Sequence, residues 1–390
     1  MSTRSTADFI IIGAGVTGTS IAFHLARRKA GRILVLDKGV VAAGGSGRSS
    51  ALIRMHYSFP PEVQLAVKSL ETFVNWQEVV GRPPLFRRSG FVRIVPEGEL
   101  DKLRAQVAMQ QDNGATVQVV DREELRELAP DWNVEDVPAA AWEPDSGYGD
   151  GAVVASDFLE AAREIGVDYR PHTAVTALRV EGGHIAGVET PEGAIDAPVV
   201  VAAIGPWTRP LLDPIGVEVP IEAEYHEVGI LQNAPGMQAH GPACIDSITC
   251  TYFRSDAGDL TLVGDFYGRR GVDPDNFPQN ATDESLAEIV SRAAGRVPAL
   301  ADAGIRRAVT GVYDVSPDAR PILGETAEVA GLYLATGFTG MGFKIAPAVG
   351  LTMSELLLDG AATSVDLAPF RPSRFAEGMP ICADNEYADD

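Results

Sequence analysis

Asp8-Phe-Ile-Ile-Ile-Gly13-Ala-Gly15-Val-Thr-Gly18 is the stretch whose reading decides the fold. Phe9–Ile12 is a continuous apolar run, the pattern of a strand buried on both faces of a parallel sheet. Glycines follow at 13, 15 and 18, and apolar residues then recur at helical spacing over Thr17–Arg28. Each glycine has its own physical task. Gly13 permits the tight turn, Gly15 lets main chain approach a pyrophosphate, and Gly18 lets strand and helix pack closely. Val16 and Thr17 open the helix whose N–H groups would meet that anion. Arg32–Asp37 reads as the second strand. Asp37 stands 19 residues beyond Gly18, where a carboxylate accepts hydrogen bonds from adenosine ribose hydroxyls, and Lys38 follows it. Strand, motif, helix and carboxylate in that order predict dinucleotide binding, without separating NAD from FAD.

The far end of the chain repeats the device. Gly331-Leu-Tyr-Leu-Ala-Thr-Gly-Phe-Thr-Gly-Met-Gly-Phe-Lys344 reads as a short strand, Leu332–Thr336, breaking into Gly337, Gly340 and Gly342. A helix is expected from near Pro347 to about Leu358. Such a turn gathers main-chain N–H groups into an anion or dipole site. Two glycine-rich helix starts more than 300 residues apart suggest that both ends fold onto one large cofactor. Gly44-Gly-Ser-Gly-Arg-Ser-Ser50, directly after the second strand, tips the choice toward FAD. A flavin needs extra donors near its phosphates and ring, and Gly45, Ser46, Arg48, Ser49 and Ser50 are placed to supply them.

Composition sets the outer bounds. With 390 residues, 45% of them hydrophobic, the chain can bury a large core in about two domains. No run approaches the roughly 18 apolar residues of a membrane span. Met1–Asp8 leads straight into a core strand, so no signal peptide is expected. Cys244, Cys250 and Cys382 are odd in number and lack His partners at metal-ligand spacing, which argues for a reducing, cytoplasmic compartment and against a metal site. A formal net charge of −22 repels nucleic acid and anionic membranes. Only five of the 32 basic residues are lysines, at 29, 38, 68, 102 and 344, so a lysine inside a glycine-rich turn carries weight.

Between the two ends the pattern is richer in strands. Residues 62–79, 98–112 and 282–295 and Ser156–Ile165, the last entered through a Ser-Asp cap, read as helices. Phe86–Val95 alternates like a half-exposed strand, Ala197–Ala203 reads as a second buried strand, and 217–232 and 242–266 read as antiparallel strands. The expected layout is α/β plus α+β: a Rossmann-like cofactor domain from residues 1–82, 150–215 and 305–375, interleaved with an antiparallel-sheet substrate domain from 83–149 and 216–304. The acidic end, 376–390, is expected to be disordered from Ala383 onward.

Four segments together resemble the D-amino-acid-oxidase-type flavoprotein superfamily, in particular its sarcosine oxidase and dimethylglycine dehydrogenase branch. They are the N-terminal fingerprint, Gly47–Tyr57, Val199–Trp207, and Gly311–Gly324 with the C-terminal glycine segment. The resemblance implies FAD as cofactor and oxidation of a C–N bond in an amino acid, often a secondary or tertiary amine. It places Ala174, Val175, Ala203, Gly205, Trp207, Gly311, Pro321, Met341 and Phe343 at the cofactor. It also implies that Arg54 and Lys344 grip the substrate carboxylate, a role suited to a bidentate guanidinium and a compact ammonium.

Hydride acceptance belongs to the flavin, so the protein must place the substrate, exclude water and keep the amine neutral. His56, Tyr57, His226, Tyr252 and Tyr313 are the candidates for contact with the amine, each also readable as a core hydrogen bonder. His24 reads as structural, and His172, His184 and His240 as loop residues. Relatives with covalent flavin carry a cysteine at the position of Gly311, or a histidine in the second glycine loop, so FAD is expected to be non-covalent. The strand Asp259–Asp265 lacks the lysine that assists reaction with oxygen in monomeric sarcosine oxidase. Met341 replaces the histidine usual between the two glycines. The electron acceptor is therefore oxygen or another redox partner. A proline or D-amino-acid dehydrogenase and a non-catalytic flavin-binding subunit stand as alternatives.

Overall fold

The computed structural model describes residues 5–234 and 241–387; His240 lies outside the described residues. Two sheets dominate. The first has six strands in the order Asp168–Arg170, Ile33–Leu36, Phe9–Ile12, Val199–Ala202, Leu332–Thr336 and Ile322–Glu325. Its first five strands run parallel, and Ile322–Glu325 returns antiparallel against Leu332–Thr336. Every residue of Phe9–Ile12 is buried, as a central parallel strand covered on both faces requires. Each of its isoleucines contributes roughly 1.5–3 kcal/mol by leaving water. The N- and C-terminal glycine units thus flank one strand, Val199–Ala202, and both open at the same sheet edge.

Three helices cover one face of this sheet. Val16–Arg27 packs on both Gly151–Glu164 and Gly342–Asp359. Gly350 makes the second crossing possible, since a Cβ there would lie 2.1 Å from Ser20 Oγ. Two helix starts differ from expectation. The helix placed at Ser156 begins at Gly151, because Asp150 caps it by accepting from the Ala152 and Val153 N–H groups. The last helix begins at Gly342 rather than near Pro347, and Pro347 sits inside it. Phe343 and Lys344 therefore belong to its first turn.

The second sheet is nine-stranded and mostly antiparallel. Phe91–Ile94, Ala243–Asp246, Thr251–Asp256, Leu260–Asp265 and Glu222–Gln232 lie side by side in it. The long strand Gly304–Val315 pairs with Glu222–Gln232 along its whole length, placing Gly311 opposite His226 and Tyr313 opposite Glu224. The expected boundary at 304/305 cuts through this strand, which the pairing assigns to the substrate-side sheet.

The acidic end is the clearest correction. Residues 383–387 are docked, not disordered. Lys102 Nζ donates to the Glu386 carbonyl at 2.6 Å, Gln106 Nε2 to the Asn385 carbonyl at 2.6 Å, and Arg320 Nη2 to Glu386 Oε1 at 2.7 Å. Tyr387 is buried. Charge content alone suggests a solvated segment, but the carboxylate and carbonyl of Glu386 meet cations supplied from 66 and 284 residues away.

Candidate active site

A cavity of about 520 Å³ runs along the open edge of the parallel sheet, from Asp37 to Phe343. Gly13, with φ +103°, closes the first turn so tightly that a Cβ would lie 2.4 Å from the Ala203 carbonyl oxygen. Gly18 meets the Gly13 carbonyl in the same way, at 2.0 Å. Asp37 organises the loop from the neighbouring strand: its Oδ2 accepts from the Ala14 N–H and its Oδ1 from the Gly39 N–H, both at 2.7 Å. Ser46 Oγ accepts from the Val16 N–H at 3.0 Å, tying the second glycine loop to the first helix start. That helix has no acidic residue in its first turn and no side-chain cap, leaving its positive end to the cavity.

Eighteen of the predicted residues line this cavity, in two groups, while Arg54, His56 and Tyr252 are outside its lining. Gly13, Gly15, Val16, Thr17, Asp37, Lys38, Gly45, Ser46 and Ser49 line the cavity from the N-terminal side. Ala174, Val175, Ala203, Gly205, Trp207, Tyr313, Gly340, Gly342 and Phe343 line it from the rest of the chain. Gly18, Arg48, Ser50, Gly311, Pro321, Gly337, Met341 and Lys344 are not among its lining residues, and several have a supporting position. Arg48 donates to the Thr310 carbonyl at 3.0 Å and to Gln279 at 2.7 Å, and Arg254 Nε donates to the Ser50 carbonyl at 2.6 Å. Met341 is buried at the start of the last helix, and Pro321 is buried just before the strand Ile322–Glu325. The Gly337 N–H donates to Asp314 Oδ2 at 2.6 Å.

Asp314, within Gly311–Gly324, has a role that the sequence does not reveal. It is buried, accepts also from Thr336 Oγ1 at 3.1 Å, and its pKa is pushed up to about 6 by burial against the pull of these bonds. It pins the C-terminal glycine turn to the substrate-side sheet. Asp275 was likewise unforeseen. It accepts from Trp207 Nε1 at 2.9 Å and pairs with Lys38, whose ammonium lies 4.1 Å from the Trp207 ring centroid.

At the other end of the cavity the substrate-side sheet comes down over the last glycine turn. Tyr313 packs so closely on Gly340 that a Cβ there would lie 2.7 Å from its ring. Tyr313 hydrogen-bonds Tyr252 and stacks on His226 with centroids 4.3 Å apart. His226 Nε2 bonds Glu224 Oε1 at 2.8 Å, and Glu224 also accepts from Arg270 Nε at 2.5 Å. Hydrogen bonding by His226 is the first cause that holds the Glu224 pKa below the ordinary carboxylate range.

Arg54 and Lys344 meet below this sheet, 290 positions apart in sequence. The Arg54 guanidinium carbon lies 4.4 Å from the Tyr57 ring centroid and 5.8 Å from that of Phe91. Its Nη1 donates to the His56 carbonyl, while its buried Nε has no hydrogen-bond partner. Arg54 is half-buried and Lys344 buried; Lys344 Nζ donates to the Gly340 carbonyl at 3.3 Å. Burial, then the charge of Arg54, drives the Lys344 pKa well below its ordinary value. Among the described residues neither cation has a salt-bridge partner. A partly buried guanidinium and a buried amine stand together without a counter-anion, an arrangement that an incoming anion favours.

Glu143 is the nearby carboxyl that the sequence did not reveal. It is fully buried, accepts from the Met55 N–H at 2.8 Å and from the Ser146 hydroxyl, and fixes the main chain next to Arg54. Burial pushes its pKa up to about 7, against the pull of those bonds and of Arg54. His56 does not match its expected role at the amine. Its Nε2 bonds the Tyr387 hydroxyl at 2.9 Å, and burial followed by the charges of Arg93 and Arg54 pushes its pKa well down. It supports the segment that carries Arg54. His24 is buried in the helix layer, its pKa lowered to about 3 mainly by burial.

Known proteins resemble this chain along most of its length. The description "FAD dependent oxidoreductase" belongs to a family whose pattern matches residues 8–356. The chain is 27% identical over 379 residues to a 4-methylaminobutanoate oxidase (formaldehyde-forming) of Paenarthrobacter nicotinovorans, covering 93% of this chain and 45% of that protein, so it spans less than half of that relative's length. It is 27% identical over 387 residues to the sarcosine oxidase subunit beta of an Arthrobacter species, covering 97% of this chain and 93% of the subunit. Among solved structures, the L-proline dehydrogenase from P. horikoshii superposes with a TM-score of 0.90 at 27% identity, over 97% of this chain and 100% of that one.

Proposed function

The chain belongs to the FAD-dependent oxidoreductase family, and from that premise we propose that it oxidises the C–N bond of an amino acid bearing a secondary or tertiary amine, such as an N-methyl amino acid. The observation that carries this reading is the pairing of the half-buried Arg54 with the buried Lys344, with no carboxylate bonded to either among the described residues. The names of the relatives, a sarcosine oxidase subunit and a methylaminobutanoate oxidase, support a substrate with a carboxylate and an N-methyl group.

The residues that line the cavity fit FAD. Asp37 offers carboxylate oxygens at the ribose end, the two glycine loops and the first helix start offer main-chain N–H groups to the pyrophosphate, and the Gly337–Phe343 turn faces the ring end. When bound, the flavin supplies hydride acceptance from the substrate carbon next to nitrogen. Arg54 and Lys344 would hold the carboxylate and so fix the orientation of that carbon. Tyr313, Tyr252 and Phe91 close the opposite side and keep water out. The product is an imine from a secondary amine or an iminium ion from a tertiary one, and water hydrolyses either. The cavity lining contains no cysteine or histidine, which supports a non-covalent cofactor.

Among the described residues, no helix is long and apolar enough to cross a membrane. Cys244, Cys250 and Cys382 stand free, in keeping with a cytoplasmic setting. No lysine lies in Leu260–Asp265 of the substrate-side sheet, which supports an acceptor other than oxygen.

Anaerobic mixing of the FAD-loaded protein with a panel of sarcosine, dimethylglycine, 4-methylaminobutanoate, proline and the corresponding amines without a carboxylate tests the reading. Flavin bleaching by carboxylate-bearing amines alone is expected. Equal bleaching by amines without a carboxylate, or none by any amine, would refute it. Reoxidation of the bleached protein by oxygen against a dye then assigns the acceptor.

A further inference from the structure

The segment Ala383–Tyr387 reaches the Arg54 side of the molecule from the far end of the sequence, and each of its contacts there is specific. Its main chain is held by Lys102 and Gln106 of the helix Leu100–Asp112, and the Glu386 carboxylate by Arg320. Arg320 itself lies 3.1 Å from the buried Glu62 and donates to Ser58 Oγ at 2.8 Å, so the anchor reaches the chain just beyond Tyr57. Tyr387 is buried in the same hydrophobic core as Met55 and Tyr57. Its ring is parallel to that of His56, with an interplanar angle of 3°, its hydroxyl bonds His56 Nε2, and the Arg93 guanidinium carbon lies 4.7 Å from its ring centroid. The His56 carbonyl in turn accepts from Arg54 Nη1.

We infer that Ala383–Tyr387 is part of the substrate site, and that Tyr387 is a positioning residue which sets Arg54 for the substrate carboxylate through His56. This rests on the carboxylate clamp proposed above. On one side Glu143 holds the Met55 N–H; on the other Tyr387 holds His56. The main chain carrying Arg54 is thereby fixed from two directions, and removing one support lets the guanidinium drift from its place. Displacement of a binding group by an ångström is enough to weaken a well-oriented complex greatly.

The test titrates the FAD-loaded protein with methylthioacetate, a small carboxylate without a titrating amine, and follows the flavin absorption. The variants are a chain ended after Cys382, Tyr387→Ala, Tyr387→Phe, Arg54→Ala, and Arg54→Ala combined with Tyr387→Ala. Truncation and Tyr387→Ala should each raise Kd at least about tenfold with FAD content per chain unchanged, and Tyr387→Phe, which keeps the ring, should lie between them and the parent. In the Arg54→Ala background, Tyr387→Ala should add no further loss. If truncation also removes the flavin, the Tyr387 variants decide. Parent affinity in Tyr387→Ala, or an equal loss with and without Arg54, would overturn the positioning role while leaving the clamp standing. Parent affinity in Arg54→Ala would overturn the clamp and this inference together.

Discussion

The cofactor end and the substrate end of this site are built from different materials. The cofactor end is main chain: glycine turns, helix starts and one carboxylate, all within short sequence windows. The substrate end is side chain: Arg54, Lys344, Glu143, Tyr252 and Tyr313, drawn from five segments and mostly buried. The first tolerates no added atoms, whereas the second tolerates no change of charge. That contrast sets the size and kind of effect expected from each substitution.

Gly13→Ala should have the largest effect. A Cβ at φ +103° and 2.4 Å from the Ala203 carbonyl oxygen cannot be accommodated, so the protein should be recovered without FAD, read as flavin absorbance per chain. Retained flavin would show that the cofactor end is less rigid than its geometry. Asp314→Ala comes next. It strips the Gly337 N–H and Thr336 hydroxyl of a buried acceptor, at a cost of about 1–3 kcal/mol, which thermal unfolding and flavin retention would register.

The substrate end should respond to pH instead. Lys344 has a lowered pKa without a ligand, and a bound carboxylate raises it again. Between those two values binding takes up a proton, so methylthioacetate affinity is full below the lowered pKa and falls about tenfold per pH unit above it. Lys344→Met should flatten this profile. A slope that survives the substitution would assign the proton elsewhere.

Glu143 gives a smaller effect on stability. Its folded pKa, about 7, lies above the ordinary carboxylate value, so the folded state holds a proton that the unfolded state releases. Its contribution is present below the ordinary value and is lost as pH rises through about 7, on the order of 1 kcal/mol per pH unit. Glu143→Gln should flatten the melting temperature over that window. Arg104→Ala, which removes only an exposed pair with Asp101, should change stability by less than about 0.5 kcal/mol.

The same contrast explains what the sequence disclosed. Gly13, Gly15, Gly18 and Asp37 are legible because backbone conformation and local spacing determine their task, and the structure places Asp37 against the loop they form. The last helix was misplaced by five residues because Pro347 reads as a start, yet it sits inside a helix whose neighbours tolerate it. Lys344 stands out as a lysine inside a glycine-rich turn, but its pairing with Arg54 follows only from the resemblance, since a 290-residue separation carries no local sign of it. Glu143, Asp314 and Tyr387 carry no local signal. Their significance lies in the tertiary contacts of Met55, Gly337 and His56, which no window of sequence contains. For Tyr387 the local signal was misleading, because acidic neighbours imitate a solvated segment.

The central claim is that Arg54 and Lys344 together receive the substrate carboxylate. Titration of FAD-loaded Arg54→Ala and Lys344→Met with methylthioacetate tests it most directly. Truncating a partner of a buried charge contact costs about 2–5 kcal/mol, so each variant should bind roughly 30-fold more weakly or worse, at unchanged flavin content. Parent affinity in both variants would contradict the claim.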